Sequence, residues 1–389
     1  MVAITVAAAL SGALAWSGSM WTIPASLLFP CLWVGAKNRR NAALTALAYY
    51  GTASRGVAIG ASTYFHSLFV VGILVWLAGT LIISLPWTLL WAPGFTARML
   101  LASVAILVTA LPPFGIVGWG SPITAAGVLF PGWKWAGLFA TFVFVMILSS
   151  IGIKKSFWQA CLWQATVVSL TVLAVALLFP KLPSAPHGWC GYDTHYPDET
   201  GQPDYLKDYA RLTALTAVSQ SLARLPGSVV VFPESAGGSW GAAGRMVWEK
   251  TRKVISGNVL FGAEVLRGSG KYDNDLVSLK SSGDRVLYRQ RMPVPVTMWR
   301  PWSESSGANA YWFREATFRC AGLRAAALIC YEQFLVWPVL ESMWARPQVL
   351  IAIGNDWWAK DTNLSRIQRA ASLSWARLFG VRLVTAVNS

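Results

Sequence analysis

The sequence predicts an N-terminal α-helical membrane domain of about seven helices over residues 1–183, followed by an α/β domain, an αββα sandwich, over residues 184–389. Three observations carry that prediction. Residues 1–192 contain no Asp or Glu, so all 17 acidic residues lie from Asp193 onward. The same front half divides into apolar segments close to the roughly 20 residues that a membrane-spanning helix needs. The back half alternates short apolar runs with stretches of helical spacing and inserts hairpins among them, as α/β domains do.

The apolar segments are 3–18, 20–36, 41–61, 67–91, 99–118, 135–153 and 158–179. Pro24, Pro30, Pro86, Pro112 and Pro113 fall within them, where membrane helices tolerate proline better than soluble ones do. Trp21, Trp87, Trp91, Trp119, Trp133 and Trp135 stand at segment ends, as interfacial aromatic belts do. Nothing basic precedes the first run, so no cleaved signal peptide is expected. With the N-terminus in the cytoplasm, Lys37, Arg39, Arg40, Arg98, Lys154 and Lys155 all fall on the inner side. Lys134 is the exception. This orientation makes a multi-pass protein of a bacterial inner membrane and delivers the back half to the periplasm. Almost no charge lies inside the spans, which argues against an ion or proton pathway.

The formal net charge is +15, yet no basic run or basic helix face concentrates it. Direct nucleic-acid binding is therefore not expected, and the balance suits a protein held beside an anionic lipid bilayer. His66, His187 and His195 are scattered and no Cys-x-x-Cys occurs, so neither a metal nor another cofactor is expected. Cys31 and Cys161 fall in spans, which leaves Cys190, Cys320 and Cys330 for an oxidising compartment. A Cys190–Cys320 disulfide with Cys330 free is one arrangement among several, because spacing does not fix connectivity.

In the back half, residues 180–203 are rich in Pro, Gly and His and read as a linker. Residues 205–225 have helical spacing and stop at Pro226-Gly227. Residues 228–232 form a strand ending at Pro233-Glu234, and a carboxylate just past a buried strand is where open α/β sheets place chemistry. A solvent-facing carboxylate at a helix N-terminus is the alternative for Glu234. A helix over 242–255 and a strand over 258–264 follow. Residues 272–279 and 285–289 then flank the turn Ser281–Asp284 as a hairpin. A second strand pair, 316–319 and 323–329, ends at Cys330. Helix 333–345, strand 349–353, helix 363–379 with Gln368 and Arg377, and strand 381–387 complete the domain.

The corner at Cys330-Tyr331-Glu332 is the point around which these elements are arranged. A thiol at a strand-to-helix turn faces a pocket, and a helix N-terminus lowers its pKa. A free cysteine also serves as a small buried hydrophobe, so the corner alone does not decide.

The order of Val-Val-Phe-Pro-Glu234, a hairpin, Leu-Ile-Cys330-Tyr331-Glu332, Asn355-Asp356-x-Trp358 and a closing strand into Asn388 resembles the nitrilase (carbon–nitrogen hydrolase) superfamily. With its membrane half the chain is similar to apolipoprotein N-acyltransferase. Its size and its end at Ser389 are similar to the TraB family of agrobacterial and rhizobial conjugal transfer proteins. The resemblance implies Glu234 as general base, Cys330 as nucleophile and a lysine at the oxyanion. Gln290 stands where that lysine is expected, flanked by Arg289 and Arg291 as alternative donors. A further loop glutamate of the acyltransferase is replaced at about Met298. Glu332, Tyr331, Asn355 and Trp358 are implied as supporting residues.

Two readings stand. One is a membrane-anchored thiol amidase or acyltransferase acting on an acyl or amide substrate at the outer leaflet. The other is a catalytically impaired scaffold that binds mating-pair or conjugation proteins, with lipoprotein acylation a lower alternative to both.

Overall fold

The computed structural model describes residues 2–151, 156–196 and 205–389. Lys154 and Lys155, on which part of the orientation argument rests, lie outside the described residues. The chain divides into two compact units. One comprises Met1–Pro183 with Phe334–Trp337 and Asp361–Gly380, and the other Ser184–Gln333, Pro338–Lys360 and Val381–Ser389.

The first unit is helical: α1 (Val2–Ala15), α2 (Leu28–Val34), α3 (Arg39–Ala53), α4 (Gly56–Tyr64), α5 (Phe69–Leu89), α6 (Phe95–Ala110), α7 (Ala126–Leu129), α8 (Lys134–Ile151) and α9 (Phe157–Leu178). Three of these, α5, α8 and α9, are long and apolar enough to cross a membrane. At 1.5 Å per residue the 21 residues of α5 reach about 32 Å, against a hydrocarbon core of about 30 Å. The other expected spans are shorter. Segment 20–36 begins as a 3-10 stretch, Met20–Leu27, around Pro24 before it becomes α2. Segment 41–61 is two helices that meet at Ser54–Arg55, and segment 99–118 ends its helix at Ala110, ahead of Pro112 and Pro113. An unbroken seven-helix pattern is therefore not what the backbone adopts.

Small residues and aromatic rings hold the helices together. An added Cβ at Gly12 would collide with the Tyr49 carbonyl, so α1 and α3 approach at backbone distance. Trp87 corrects the interfacial-belt expectation. It is fully buried, donates Nε1–H to the Tyr50 hydroxyl at 2.9 Å and packs on Phe29 and Trp33. A buried indole needs an acceptor, and Tyr50 supplies it. Trp133 and Trp135 remain exposed.

The second unit contains two packed sheets. Its elements are β1 (Trp189–Gly191), α10 (Tyr205–Leu222), β2 (Val229–Val231), α11 (Ala242–Val254), β3 (Asn258–Leu266), β4 (Lys271–Lys280), β5 (Gly283–Arg289), β6 (Gly307–Ala308), β7 (Thr317–Cys320), β8 (Leu323–Ile329), α12 (Val336–Trp344), β9 (Val349–Asn355) and β10 (Arg382–Asn388), the last preceded by α13 (Leu364–Phe379) of the first unit. The six-stranded sheet runs β1-β2-β3-β4-β5 with β6 beside β4, and the four-stranded sheet runs β10-β9-β8-β7. Strands β1, β2 and β3 are parallel, as are β10, β9 and β8, and the hairpins β3-β4-β5 and β7-β8 are antiparallel.

Val229, Val231, Leu260 and Leu276 of one sheet share a dry core with Ala325, Ala327, Ile329, Ile351 and Ile353 of the other. The opposite face of the first sheet, through Val230, Phe261 and Val277, packs on Leu215 and Trp248 of α10 and α11. The alternation along each strand sends successive side chains to opposite faces, which produces these two layers. Strand β1 corrects the linker reading within 180–196: Trp189-Cys190-Gly191 is an edge strand beside β2, too short to show a pattern, and residues 197–203 of that reading lie outside the described residues. The helix expected from residue 333 begins instead as a 3-10 turn, Cys330–Phe334, with α12 following. All five cysteines are free, so the Cys190–Cys320 disulfide is absent.

Replacing Trp87 by Ala removes a filled ring and its hydrogen bond, and is expected to cost about 3–5 kcal/mol. Trp133→Ala, at an exposed ring, should stay within about 0.5 kcal/mol. Thermal unfolding of both variants in detergent measures the difference, and equal midpoints would refute the assignment of Trp87 to the core.

Candidate active site

Two corners, both in the second unit, bring the expected pair together. Glu234 follows β2 through Pro233, and Ser235 after it takes φ 60°. Cys330 follows β8 directly and takes φ 47°. A left-handed φ is costly for a residue with a Cβ, and such strain gathers at functional corners. Gly262 on β3 makes the first corner feasible, because a Cβ there would lie 2.5 Å from the Glu234 Cα. Glu234 and Cys330 are buried and hydrogen-bonded to each other through carboxyl and thiol.

Each Glu234 oxygen has a further donor. Asn274 Nδ2 donates to Oε1 at 2.6 Å, and the Asn355 backbone N–H donates to Oε2 at 3.0 Å. Burial nevertheless raises the Glu234 carboxyl to about 7; the hydrogen bonds from Asn274 and Cys330 oppose the shift and the Asp356 carboxylate adds to it. Burial also pushes the Cys330 thiol well above its ordinary range, helped by Glu234 and Asp356. This corrects the expectation of a helix-lowered thiol. Only a short 3-10 turn starts at Cys330, and desolvation beside two carboxyls outweighs it.

Gln290 lies one residue past β5 and is buried. Its Oε1 accepts from the same Asn274 Nδ2 at 2.9 Å, and its Nε2 donates to the Ile329 carbonyl at 3.0 Å, next to Cys330. Asn274 therefore uses one amide nitrogen to hold Glu234 and Gln290 together. Asn274 was not among the sequence candidates. The signal was the triplet Asp273-Asn274-Asp275, three consecutive polar residues inside a strand, all of them buried.

Neither flanking arginine reaches the pair. Arg289 turns to the other face of the sheet, with Nε 3.3 Å from Asp273 and 3.8 Å from Asp275. The strand period of two dictates this: Gln290 shares the face of Asn274, and Arg289 that of its neighbours. Arg291 is fully buried and committed elsewhere. Its Nε donates to the Tyr288 hydroxyl, Nη1 to Glu341 and Nη2 to Ser342, each at 2.8 Å.

Glu332 is a structural tie. Its Oε1 accepts from the Tyr288 hydroxyl (2.7 Å) and from the Arg291 and Met292 backbone N–H groups (2.6 and 3.3 Å), and its Oε2 accepts from the Ile329 N–H (2.7 Å). Tyr331 is buried beside it. Asn355 Oδ1 accepts from Asn388 Nδ2 at 2.8 Å, and Trp358 Nε1 donates to the Asn355 carbonyl at 3.0 Å. These contacts fix the loop whose N–H meets Glu234. No cluster of three or more metal-ligating side chains occurs among the described residues.

The Carbon-nitrogen hydrolase family matches residues 268–377, a stretch that includes Asn274, Gln290 and Cys330. A Sinorhizobium fredii protein, Probable conjugal transfer protein TraB, is 37% identical over 396 residues, covering 99% of this chain and 97% of that protein. Conjugal transfer protein TraB of Agrobacterium fabrum is 35% identical over 402 residues, covering 97% and 90%. The chain belongs to the TraB family. Among solved structures it is similar to a nitrilase-superfamily amidase of Nesterenkonia (11% identity, 51% of this chain and 74% of that one, TM-score 0.36). It is also similar to a carbon–nitrogen hydrolase of Helicobacter pylori (12% identity, 50% and 71%, TM-score 0.36).

For this TraB-family chain, Glu332→Ala leaves four buried donors without an acceptor and removes one of the two carboxylates near Arg291. It should destabilise the fold by about 3–5 kcal/mol, and a loss under about 1 kcal/mol in detergent unfolding would contradict the tie. Glu234 carries a pH signature. Its folded pKa of about 7 lies above the unfolded value, so its contribution to stability is full at low pH and is lost as pH rises through about 7. Glu234→Gln cannot ionise, so its melting temperature relative to wild type should rise between pH 5 and pH 8. Parallel pH profiles for the two proteins would rule out the raised pKa.

Proposed function

We propose that the protein is a multi-pass inner-membrane protein that supports conjugal plasmid transfer through thiol-dependent amide or acyl chemistry in a periplasmic nitrilase-like domain. The single observation behind this reading is the buried Glu234–Cys330 hydrogen bond between two left-handed corners. A cysteine kept only for packing has no need of a carboxyl partner. The names of the two relatives support the conjugal role, and the three apolar helices support the membrane. Lys37, Arg39, Arg40 and Arg98 support a cytoplasmic N-terminus, and the seven apolar segments support several crossings.

In this reading Cys330 Sγ attacks the carbonyl carbon of an acyl donor while its proton passes to Glu234. The tetrahedral oxyanion takes the Gln290 Nε2 hydrogen not used by Ile329. Collapse breaks the bond to the leaving group, which receives the proton from Glu234 and departs, leaving a Cys330 thioester. Water or an acceptor amine then attacks with Glu234 as base, which gives hydrolysis or acyl transfer. The substrate would approach from the outer leaflet.

One observation favours a second reading, a scaffold that binds conjugation proteins. Gln290 brings no charge, and Arg289 and Arg291 are engaged elsewhere.

Plasmid transfer from donors carrying Cys330→Ser or Gln290→Lys at matched expression separates the two, together with labelling by a thiol-reactive acyl probe. Under the enzymatic reading Cys330→Ser abolishes labelling and lowers transfer on the order of 10³-fold or more, and Gln290→Lys raises the acylation rate by about 10²-fold. Full transfer by Cys330→Ser would exclude the covalent chemistry and leave the scaffold.

A further inference from the structure

We propose that the helical unit binds a phosphate group at Arg377, brought by a phospholipid headgroup or as free phosphate. The inference rests on the membrane reading above. Arg377 is in the last turn of α13, and the residue is only 4% exposed. Nη2 donates to the Phe179 carbonyl at 2.7 Å, and the guanidinium carbon lies 4.7 Å over the Trp21 ring. Nε and Nη1 are buried without a hydrogen-bond partner among the described residues.

No ion pair to its charge occurs among the described residues either. The segments of this unit contain one acidic residue, Asp361. It precedes the start of α13, roughly 20 Å along the helix from Arg377 at 1.5 Å per residue. A buried cation with unused donors and no carboxylate is a costly arrangement unless an anion from outside the chain completes it.

The surroundings indicate which anion. Phe179 directly follows the end of α9, and the Gly132 N–H, two residues before α8 begins at Lys134, donates to the Arg377 carbonyl at 2.9 Å. Helices α8 and α9 are both long and apolar enough to cross a membrane. Arg377 thus lies where one candidate span starts and another ends, the level of lipid phosphates. Trp133, Trp135 and Phe179 are exposed at that level, as interfacial aromatics are. Lys134, also exposed, is the cation that breaks the loop-charge pattern, and a phosphate-binding role accounts for it. Guanidinium N–H groups take phosphate oxygens in charge-assisted hydrogen bonds, and an exposed lysine at the start of α8 adds positive charge at the same helix end.

The test uses the full chain purified in maltoside detergent, titrated separately with phosphatidylglycerol, phosphatidylethanolamine, diacylglycerol and inorganic phosphate. Native mass spectrometry reads retained adducts and thermal unfolding reads stabilisation. Phospholipids should remain bound and raise the midpoint, and phosphate-free diacylglycerol should not. Arg377→Gln should weaken the response about tenfold or more, Arg377→Lys much less, and Lys134→Gln by a few-fold. Stabilisation by inorganic phosphate equal to that by phospholipid assigns the site to free phosphate, with Arg377 still its ligand. An equal response to diacylglycerol, or an unchanged response in Arg377→Gln, overturns the proposal. Should Arg377→Gln not fold, a wild-type protein indifferent to both phosphate sources overturns it as well. Membrane fractionation of the same protein tests the membrane reading separately, and the inorganic phosphate arm does not depend on it.

Discussion

One amide nitrogen organises the candidate site. Asn274 Nδ2 lies 2.6 Å from Glu234 and 2.9 Å from Gln290, and both of its hydrogens are committed to them. Glu234 reaches that nitrogen from the end of β2 and Gln290 from the end of β5, with Asn274 on β4 between them in the same sheet. The Gln290 N–H and the Asn274 carbonyl continue the ladder at 2.9 Å, so strand register and side-chain bridge enforce the same placement. Gln290 then presents its other end to Ile329, the residue before Cys330. The position of Cys330 relative to Glu234 therefore follows from sheet pairing rather than from a mobile loop. Sites built on strands hold their geometry better than sites built on loops.

Glu332 performs the same function from the other sheet. A carboxylate with no exposure tolerates burial only when its lone pairs are filled, and four donors within one corner fill them. Two of those donors come from the chain just past β5 and one from the chain just before Cys330. Glu332 thus ties the ends of two strands from different sheets. The sequence places Glu332 two residues from a candidate nucleophile, which invites a catalytic role. Its saturation with donors explains its presence without one.

Most longer strands of the second unit were legible because they contain an apolar run bounded by Gly, Pro or a polar turn. Those in the four-stranded sheet agree with the structure to within about two residues. The corners were legible for the same reason, since Glu234 and Cys330 each end such a run. What escaped were features that depend on pairing. Strand β1 is three residues long and becomes a strand only beside β2. Asn274 is one residue in a polar triplet, and only the register shows that it faces Glu234 while Asp273 and Asp275 face Arg289. In the helical unit hydropathy overcounted long helices. Ser54–Arg55 and Pro112-Pro113 interrupt helical hydrogen bonding without interrupting the apolar average.

Charge finally constrains what Cys330 can do. Glu234 and Asp356 are buried beside the thiol, and each raises its pKa, as desolvation does. The arginines next to Gln290 are spent on Asp273 and on Glu341, so no cation from that strand offsets them. A resident thiolate next to an ionised Glu234 would place two negative charges in one dry site, which the low dielectric disfavours. In the proposed thiol chemistry the proton would move from sulfur to Glu234 while the bond to substrate forms, so that the pair never holds more than one charge. A lysine at position 290 would relax that restriction by stabilising a preformed anion. With glutamine there, the proposed chemistry couples bond formation to proton transfer, and the thiol would stay unreactive until an electrophile occupies the site.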